Sequence, residues 1–357
     1  MNRKNPSNHQ TRKMPQTLRG FILLAGCLFT HQLTAQTAFS LGERYALVVG
    51  GMGGQKEYSE KYFAQTSQMV DLLVNKFEYQ PDNVLYLFEE PAFDSLRIDY
   101  AATGENVRRA FYHLKRKMTE QDQLFVFLVG HGTFDGTFSK FNLKGPDLKD
   151  IEFGELLANL PSKKIVLVNT ASASGPFIQK LSGEHRVLIT ATKSGLEKYE
   201  TNFADFFLEA LASDAADINK DNRISMLEAF KYAKTSQDQW FEEKRQIRAE
   251  HPLLDDNGDG EGSQEPTDAK DGRWASRVYL GPLSTELEKT LNRAESGSLT
   301  ATDSLGIEKL KLEQAIEELK VKKDLLKPET YSQQLETLLI RLAKINRRLK
   351  AARSENK

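Results

Sequence analysis

LFVFLVGHGTFDG (residues 124–136) and IVLVNTASASG (residues 165–175) decide the fold. Each is a run of β-branched and other apolar residues that stops abruptly in small and polar ones. Such runs read as strands buried on both faces of a parallel sheet. The small residues then fall at the carboxyl ends of the strands, where open α/β sheets place ligands and chemistry. One strand end delivers His131 and Gly132, and the other delivers Ser172 in a small-residue turn. A histidine and a hydroxyl nucleophile on neighbouring strand ends point to acyl transfer.

Working outward, RYALVVGG (44–51) reads as the first strand, closed by the turn GGMGG (50–54). That turn lacks GxGxxG spacing, and Lys56 is not in a GK[ST] context, so a tight loop is expected rather than a phosphate cradle. Helices are expected over 60–77, with Met69, Leu72, Leu73 and Phe77 on one stripe, and over 105–118, capped by Thr103. Further strands are expected at 83–88 and 186–190, a small hairpin over 134–143, and helices over 150–160 and 203–211. Strand and helix alternate throughout. The fold class is therefore α/β, a parallel sheet flanked by helices with right-handed crossovers, over a domain spanning 39–213.

Residues 214–295 change character and read as a calcium-loop helical extension. The stretch from Asp217 to Glu228 fits the twelve-residue EF-hand loop. Asp217, Asn219 and Asp221 supply side-chain oxygens, Arg223 its carbonyl, Ser225 a water-mediated contact, and Glu228 both carboxylate oxygens. Asn222 stands where glycine is usual, and asparagine tolerates the left-handed backbone better than most residues. The alternative is an N-capped helix start with solvated acids. Either way a helix is expected over 225–247. A second acidic run, DDNGDG (255–260), has oxygen donors at alternating positions but Pro266 where a twelfth-position glutamate belongs. It reads equally as a weaker calcium loop or an asparagine-glycine turn.

Residues 296–357 read as a linker and a coiled-coil helical hairpin. Leu305, Leu312, Leu319 and Leu326 repeat every seven residues. After Pro328 the pattern restarts with Leu335, Leu338, Leu342, Ile345 and Leu349. So short a pair is expected to pack on the main domain or on another chain, which makes oligomerisation through the hairpin one expectation. Arg347, Arg348, Lys350 and Arg353 make its end basic, and a solvated helix face is the expected reading.

The 357 residues carry 28% charged side chains and a formal net charge of −1, which gives no reason to expect a nucleic-acid partner. No 18-residue uninterrupted apolar run occurs, so no transmembrane span is expected after signal removal. Residues 1–38 read as a signal peptide, with Arg3, Lys4, Arg12, Lys13 and Arg19 ahead of an apolar stretch at 21–29. Two cuts are open. Leu24-Ala25-Gly26-Cys27 resembles the bacterial lipobox, which would anchor the chain by lipid on Cys27. Ordinary signal peptidase would instead cut after Ala35 or Ala38. Both place an exported bacterial protein outside the cytoplasm, periplasmic, secreted or lipid-anchored. The single cysteine excludes an internal disulfide and any multi-cysteine metal site.

With both strand ends in view, residues 44–211 resemble the legumain and caspase-like cysteine peptidases. In that family one strand ends in a His-Gly pair, here His131-Gly132. A later strand ends in acid-Ala-Cys-x-Ser-Gly, here Thr170-Ala171-Ser172-Ala173-Ser174-Gly175. The resemblance implies a peptidase fold in which His131 and Gly132 serve the substrate carbonyl and Ser172 holds the nucleophile's place. Two departures stand out: Ser172 replaces the cysteine, and Thr170 replaces the acid. The basic residues with which caspases hold an acidic substrate are also absent near the first strand, apart from Lys56.

A cysteine thiol needs only a modest shift to become thiolate, whereas a serine hydroxyl needs a base within hydrogen-bond distance. The first expectation is therefore a peptidase-family pseudoenzyme, proteolytically impaired, that binds a peptide or protein partner. The second is an active serine-type endopeptidase or esterase, with Ser172 attacking, His131 as acid and base, and the amides of Gly132 and Ser172 as oxyanion donors. The third is a calcium-stabilised structural module of the cell envelope.

Overall fold

Seven strands form one sheet. The computed structural model describes residues 42–219, 223–267, 270–282, 300–321 and 326–355. The first strand, β1 (Arg44–Gly50), lies at the centre between β2 (Val84–Phe88) and β4 (Gln123–Val129). Beyond β2 comes the two-residue β3 (Tyr100–Ala101). Beyond β4 come β8 (Lys164–Asn169) and β9 (Arg186–Thr190). These six run parallel. A short seventh, β10 (Leu253–Asp255), closes the edge antiparallel to β9 and pairs Leu254 with Ile189.

The apolar runs are buried on both faces, as strands covered by crossover helices must be. Alternate residues of β1 show it: Val48 and Leu47 are both fully buried and belong to opposite cores. One core joins Val48, Phe127 and Val168 to α1 (Lys56–Asp71), α5 (Phe203–Ala212) and α6 (Met226–Glu243). The other joins Leu47, Val126 and Leu167 to α2 (Gly104–Lys117), α3 (Asp150–Ala158) and the short α4 (Phe177–Leu181). The expected cap of α2 is present, with Thr103 Oγ1 accepting from the Asn106 amide at 3.2 Å. The expected helix over 60–77 begins earlier, at Lys56, and its last turn, Leu72–Lys76, widens to π geometry.

The chain runs from β1 outward to β2 and β3, then crosses back to β4 on the other side. The sheet therefore has its topological switch between β1 and β4, the place where open α/β sheets leave a crevice at their carboxyl ends. Three carboxyl-end turns meet there: the glycine turn after β1, His131-Gly132 after β4, and the Ser172 turn after β8. A small antiparallel sheet of β5 (Gly132–Phe134), β6 (Ser139–Phe141) and β7 (Leu148–Lys149) grows directly from the histidine strand.

Residues past 213 return to the same cores: Met226 and Phe230 of α6 are fully buried beside Phe203 and Phe207. Farther on, α7 (Ala301–Val321) and α8 (Pro328–Glu355) lie against each other. Leu312, Leu319 and Ile345 are buried. Pro328 opens α8, where its missing N–H costs nothing. Among the described residues, no helix is long and apolar enough to cross a membrane.

Candidate active site

Strands β4 and β8 are adjacent, with Leu128 opposite Asn169, so the turns that follow them touch. Glycine at 132 is required by this contact: a Cβ there would lie 2.1 Å from the Ser172 carbonyl oxygen. Ser172 is 3% exposed, and its hydroxyl is held twice by Gly132. Its Oγ accepts from the Gly132 amide at 3.0 Å and donates to the Gly132 carbonyl at 3.1 Å. No hydrogen bond joins Ser172 to His131.

His131 is held by the opposite wall. The Tyr62 hydroxyl lies 3.2 Å from either ring nitrogen, and the Tyr58 ring meets the imidazole edge-on at 4.8 Å between centroids. Both tyrosines stand one turn apart on α1, so they share a helix face. Burial lowers the His131 pKa below the ordinary histidine value, against the opposing pull of Glu200. Burial raises Tyr62, which therefore stays protonated across the physiological range. Lys61 turns away to Glu200, 2.5 Å off, and to Asn202, pinning the loop between β9 and α5.

The turn carrying Ser172 is fixed by its neighbours. Thr170, just past the end of β8, donates through both its amide and its hydroxyl to the Leu128 carbonyl, at 2.9 and 2.8 Å. It acts as a clip between strands and brings no charge to the site. Ala173 adopts φ +53°, a left-handed backbone costly for a residue with a Cβ. Its amide donates to the Glu197 carbonyl at 2.7 Å. Gly175 donates to Thr192 Oγ1 at 3.0 Å. The glycine turn after β1 is stitched in as well, with the Gly53 amide on the buried Glu89 carboxylate at 2.8 Å. Lys56 lies on the outer side of α1, paired with Glu60 at 3.4 Å, and brings no positive charge to these strand ends.

Three apolar side chains on the loops around these strand ends are exposed. Leu196 and Tyr199, on the loop that receives the Ala173 amide, are 75% and 77% exposed, and Met52 of the glycine turn is 46% exposed.

Residues 101–252 match the Peptidase C13 family. This region contains both strand ends, and the likeness of the chain to the legumain and caspase-like peptidases is shown on it. Metacaspase-1 of Arabidopsis thaliana is 37% identical over 79 residues, 22% of this chain and 20% of that protein. The chain thus spans about a fifth of the length of the curated relative it matches. A crystal structure of a protein from Geobacter sulfurreducens superposes with a TM-score of 0.42 at 13% identity, covering 65% of this chain and 98% of that one. The C13 region places a histidine, a glycine amide and a hydroxyl at one cleft, but joins the hydroxyl to the amide and leaves the histidine with tyrosine.

The expected calcium ligands lie at the start of α6. Residues 220–222, including Asp221 and Asn222, lie outside the described residues. Asp217 and Glu228 are buried. Glu228 Oε1 accepts from the amides of Ile218 and Asn219, both at 3.1 Å, and Oε2 from the Ser225 amide and hydroxyl at 2.9 and 2.8 Å. Ser225 returns the bond by capping the Glu228 amide at 3.2 Å, a complete capping box. The Arg223 guanidinium lies over the Tyr279 ring at 3.6 Å. Two residues of the site carried no signal in the strand-end motifs: Tyr58 and Tyr62. Their four-residue spacing after the glycine turn was the available cue.

Proposed function

We propose that this is an exported, proteolytically impaired member of the peptidase family whose cleft binds a peptide or protein segment. The observation that carries the reading is the doubled Ser172–Gly132 hydrogen bond. A serine nucleophile needs a base on its hydroxyl, and an oxyanion hole needs a free amide. Here the serine proton goes to a carbonyl, and the Gly132 amide, the natural oxyanion donor, is spent on the serine oxygen. Attack would require both bonds to break at a buried serine. The apolar rim of Met52, Leu196 and Tyr199 supports binding of an extended segment across the strand ends.

A serine-directed fluorophosphonate tests this. The reading expects no labelling of Ser172 in the native chain, and no change in peptide binding on Ser172→Ala. Labelling at Ser172 that is lost with His131→Ala establishes the serine hydrolase instead.

The proposal includes export through residues 1–38. The mass of the mature chain separates a cut after Ala35 or Ala38 from lipidation at Cys27. It also includes a structural calcium ion in the loop from Asp217 to Glu228. Supporting this, Glu228 folds back onto the amides of Ile218 and Asn219, bringing the twelfth position of the loop against its second and third. Binding would exchange those amides for the ion.

A structural role for the helical hairpin is favoured by one separate observation. Leu339 and Ile340 of α8 are each 47% exposed, side by side with Leu335. That face suits self-association.

A further inference from the structure

The second acidic run folds into a different arrangement from the loop before α6. Strand β10 ends at Asp255, and the chain turns through Gly258 and Gly260, both at positive φ. Asp256 reaches across to a later segment, accepting from the Gly272 and Ala275 amides at 2.9 and 2.6 Å. That clasp brings Asp271 beside the run. One carboxylate oxygen from each of Asp255, Asp259 and Asp271 then lies within 4.8 Å of the others.

The bonding of these groups is incomplete. Asp271 is fully buried, and neither of its oxygens has a hydrogen-bond partner. Asp255 is 1% exposed; one oxygen accepts from the Gly258 amide at 3.2 Å and the other has no partner. Asp259 is exposed and held in place by the Glu261 amide at 2.7 Å and the Asn257 side chain at 2.9 Å. A buried carboxylate without donors carries a cost of several kcal/mol unless it neutralises or meets a cation. Glu228 is the contrast, since four donors already occupy its two oxygens.

We propose that Asp255, Asp259 and Asp271 form a calcium site that clamps the edge strand β10 to the turn after α4. All donors are oxygen, which selects a hard cation over zinc or copper. Calcium–oxygen distances of about 2.3–2.6 Å allow ligands on opposite sides of one ion to stand roughly 4.6–5.2 Å apart, whereas magnesium allows only about 4.2 Å. The three oxygens, all within 4.8 Å of one another, are close enough to face one such ion, and a site built on a turn suits calcium's flexible coordination better than magnesium's strict octahedron. The clamp has a defined target. The Gly260 amide donates to Ser182 Oγ at 3.0 Å, and Gly258 packs on Gly183, directly after the helix that follows the Ser172 turn. The site is independent of the loop from Asp217 to Glu228 and of whether the cleft is catalytic.

Isothermal titration of the full chain with calcium, after chelator treatment, tests the assignment. Asp271→Asn and Asp259→Asn should each bind one equivalent fewer than the native chain, while Glu228→Gln retains that equivalent. Asp259 is exposed, so its variant keeps the fold, which circular dichroism verifies. Magnesium should bind this site at least tenfold more weakly. In chelator Asp271→Asn should melt no lower than the native chain, because it removes a buried unpaired acid. In calcium the order should reverse. The assignment is overturned if the native chain takes up no calcium, or if both aspartate variants take up as much as it does. The first result would mean that Asp255 and Asp271 settle their charge by sharing a proton.

Discussion

The Ser172 hydroxyl and the Gly132 peptide unit saturate each other, with Oγ accepting from the amide at 3.0 Å and donating to the carbonyl at 3.1 Å. Thiols are weak hydrogen-bond partners, so a cysteine at this position would leave the glycine amide free for substrate. The hydroxyl does not. The serine hydroxyl thereby straps the turn after β4 to the turn after β8.

Removing that strap has a measurable cost. Ser172→Ala leaves the buried amide and carbonyl of Gly132 without this partner, and should lower unfolding stability by about 1–3 kcal/mol. Urea unfolding of the two chains checks this. A stability unchanged within error would show that the two bonds contribute nothing and that the serine is free for chemistry.

The imidazole of His131 should titrate below the ordinary value of about 6.5, since burial disfavours its charged form. Tyr62 stays protonated and can donate to the neutral ring. Tyr62→Phe removes that donor and should move the titration upward. Proton-binding linkage fixes the sign of the stability effect. The unfolded chain takes up a proton on His131 near 6.5 before the folded chain does, so this contribution is present above 6.5 and is lost as pH falls. NMR titration of the ring in both chains decides. A downward shift in Tyr62→Phe would contradict the donor assignment.

Much of the framework was legible in the chain. The apolar runs ending at Gly130 and Thr170 announced buried parallel strands, and the small residues after them announced a crevice. Strand β10 was not legible, because Leu253 and Leu254 are too short a run to show a period between a proline and an acidic turn. The Tyr62–His131 contact was hidden for another reason. It joins residues from separate elements and depends on how α1 sits over the switch point, which no local pattern encodes. The Ser172–Gly132 pairing was half visible. The motifs placed both residues at one cleft, but only three-dimensional geometry shows the hydroxyl turned to the backbone and not to the imidazole.

Glu228 separates two accounts of the loop before α6. If calcium binds there, Glu228→Gln should lower the melting temperature in millimolar calcium and leave it nearly unchanged in chelator. If the carboxylate acts only through the amides of Ile218, Asn219 and Ser225, the loss should be equal in both media. Differential scanning calorimetry in the two buffers gives the answer.

The hairpin makes its own prediction. Ile345 is buried between α7 and α8, while Leu339 and Ile340 face outward. Leu339→Glu with Ile340→Glu should leave helix content unchanged and reduce any self-association seen by light scattering. Ile345→Ala should instead loosen the hairpin itself, at about 2–5 kcal/mol for a buried isoleucine. An assembly insensitive to both exposed positions would exclude this face as its contact.

Glu250 offers a test in pH. It is 2% exposed and accepts from the Asn202 amide at 2.8 Å and the Phe203 amide at 3.4 Å, at the amino end of α5. Burial pushes it up to about 7, outweighing those amides and the more distant Lys61. An acid raised on folding binds its proton more tightly in the folded chain. Its contribution to stability is therefore full below the unfolded value of about 4.3 and is lost as pH rises toward about 7. Glu250→Gln keeps one acceptor for α5 and cannot ionise. Its stability relative to the native chain should climb between pH 4.3 and 7 and then level off, as read from urea midpoints at several pH values. A constant difference across that window would mean that Glu250 is already ionised at its low end, with the amino end of α5 holding the charge despite burial.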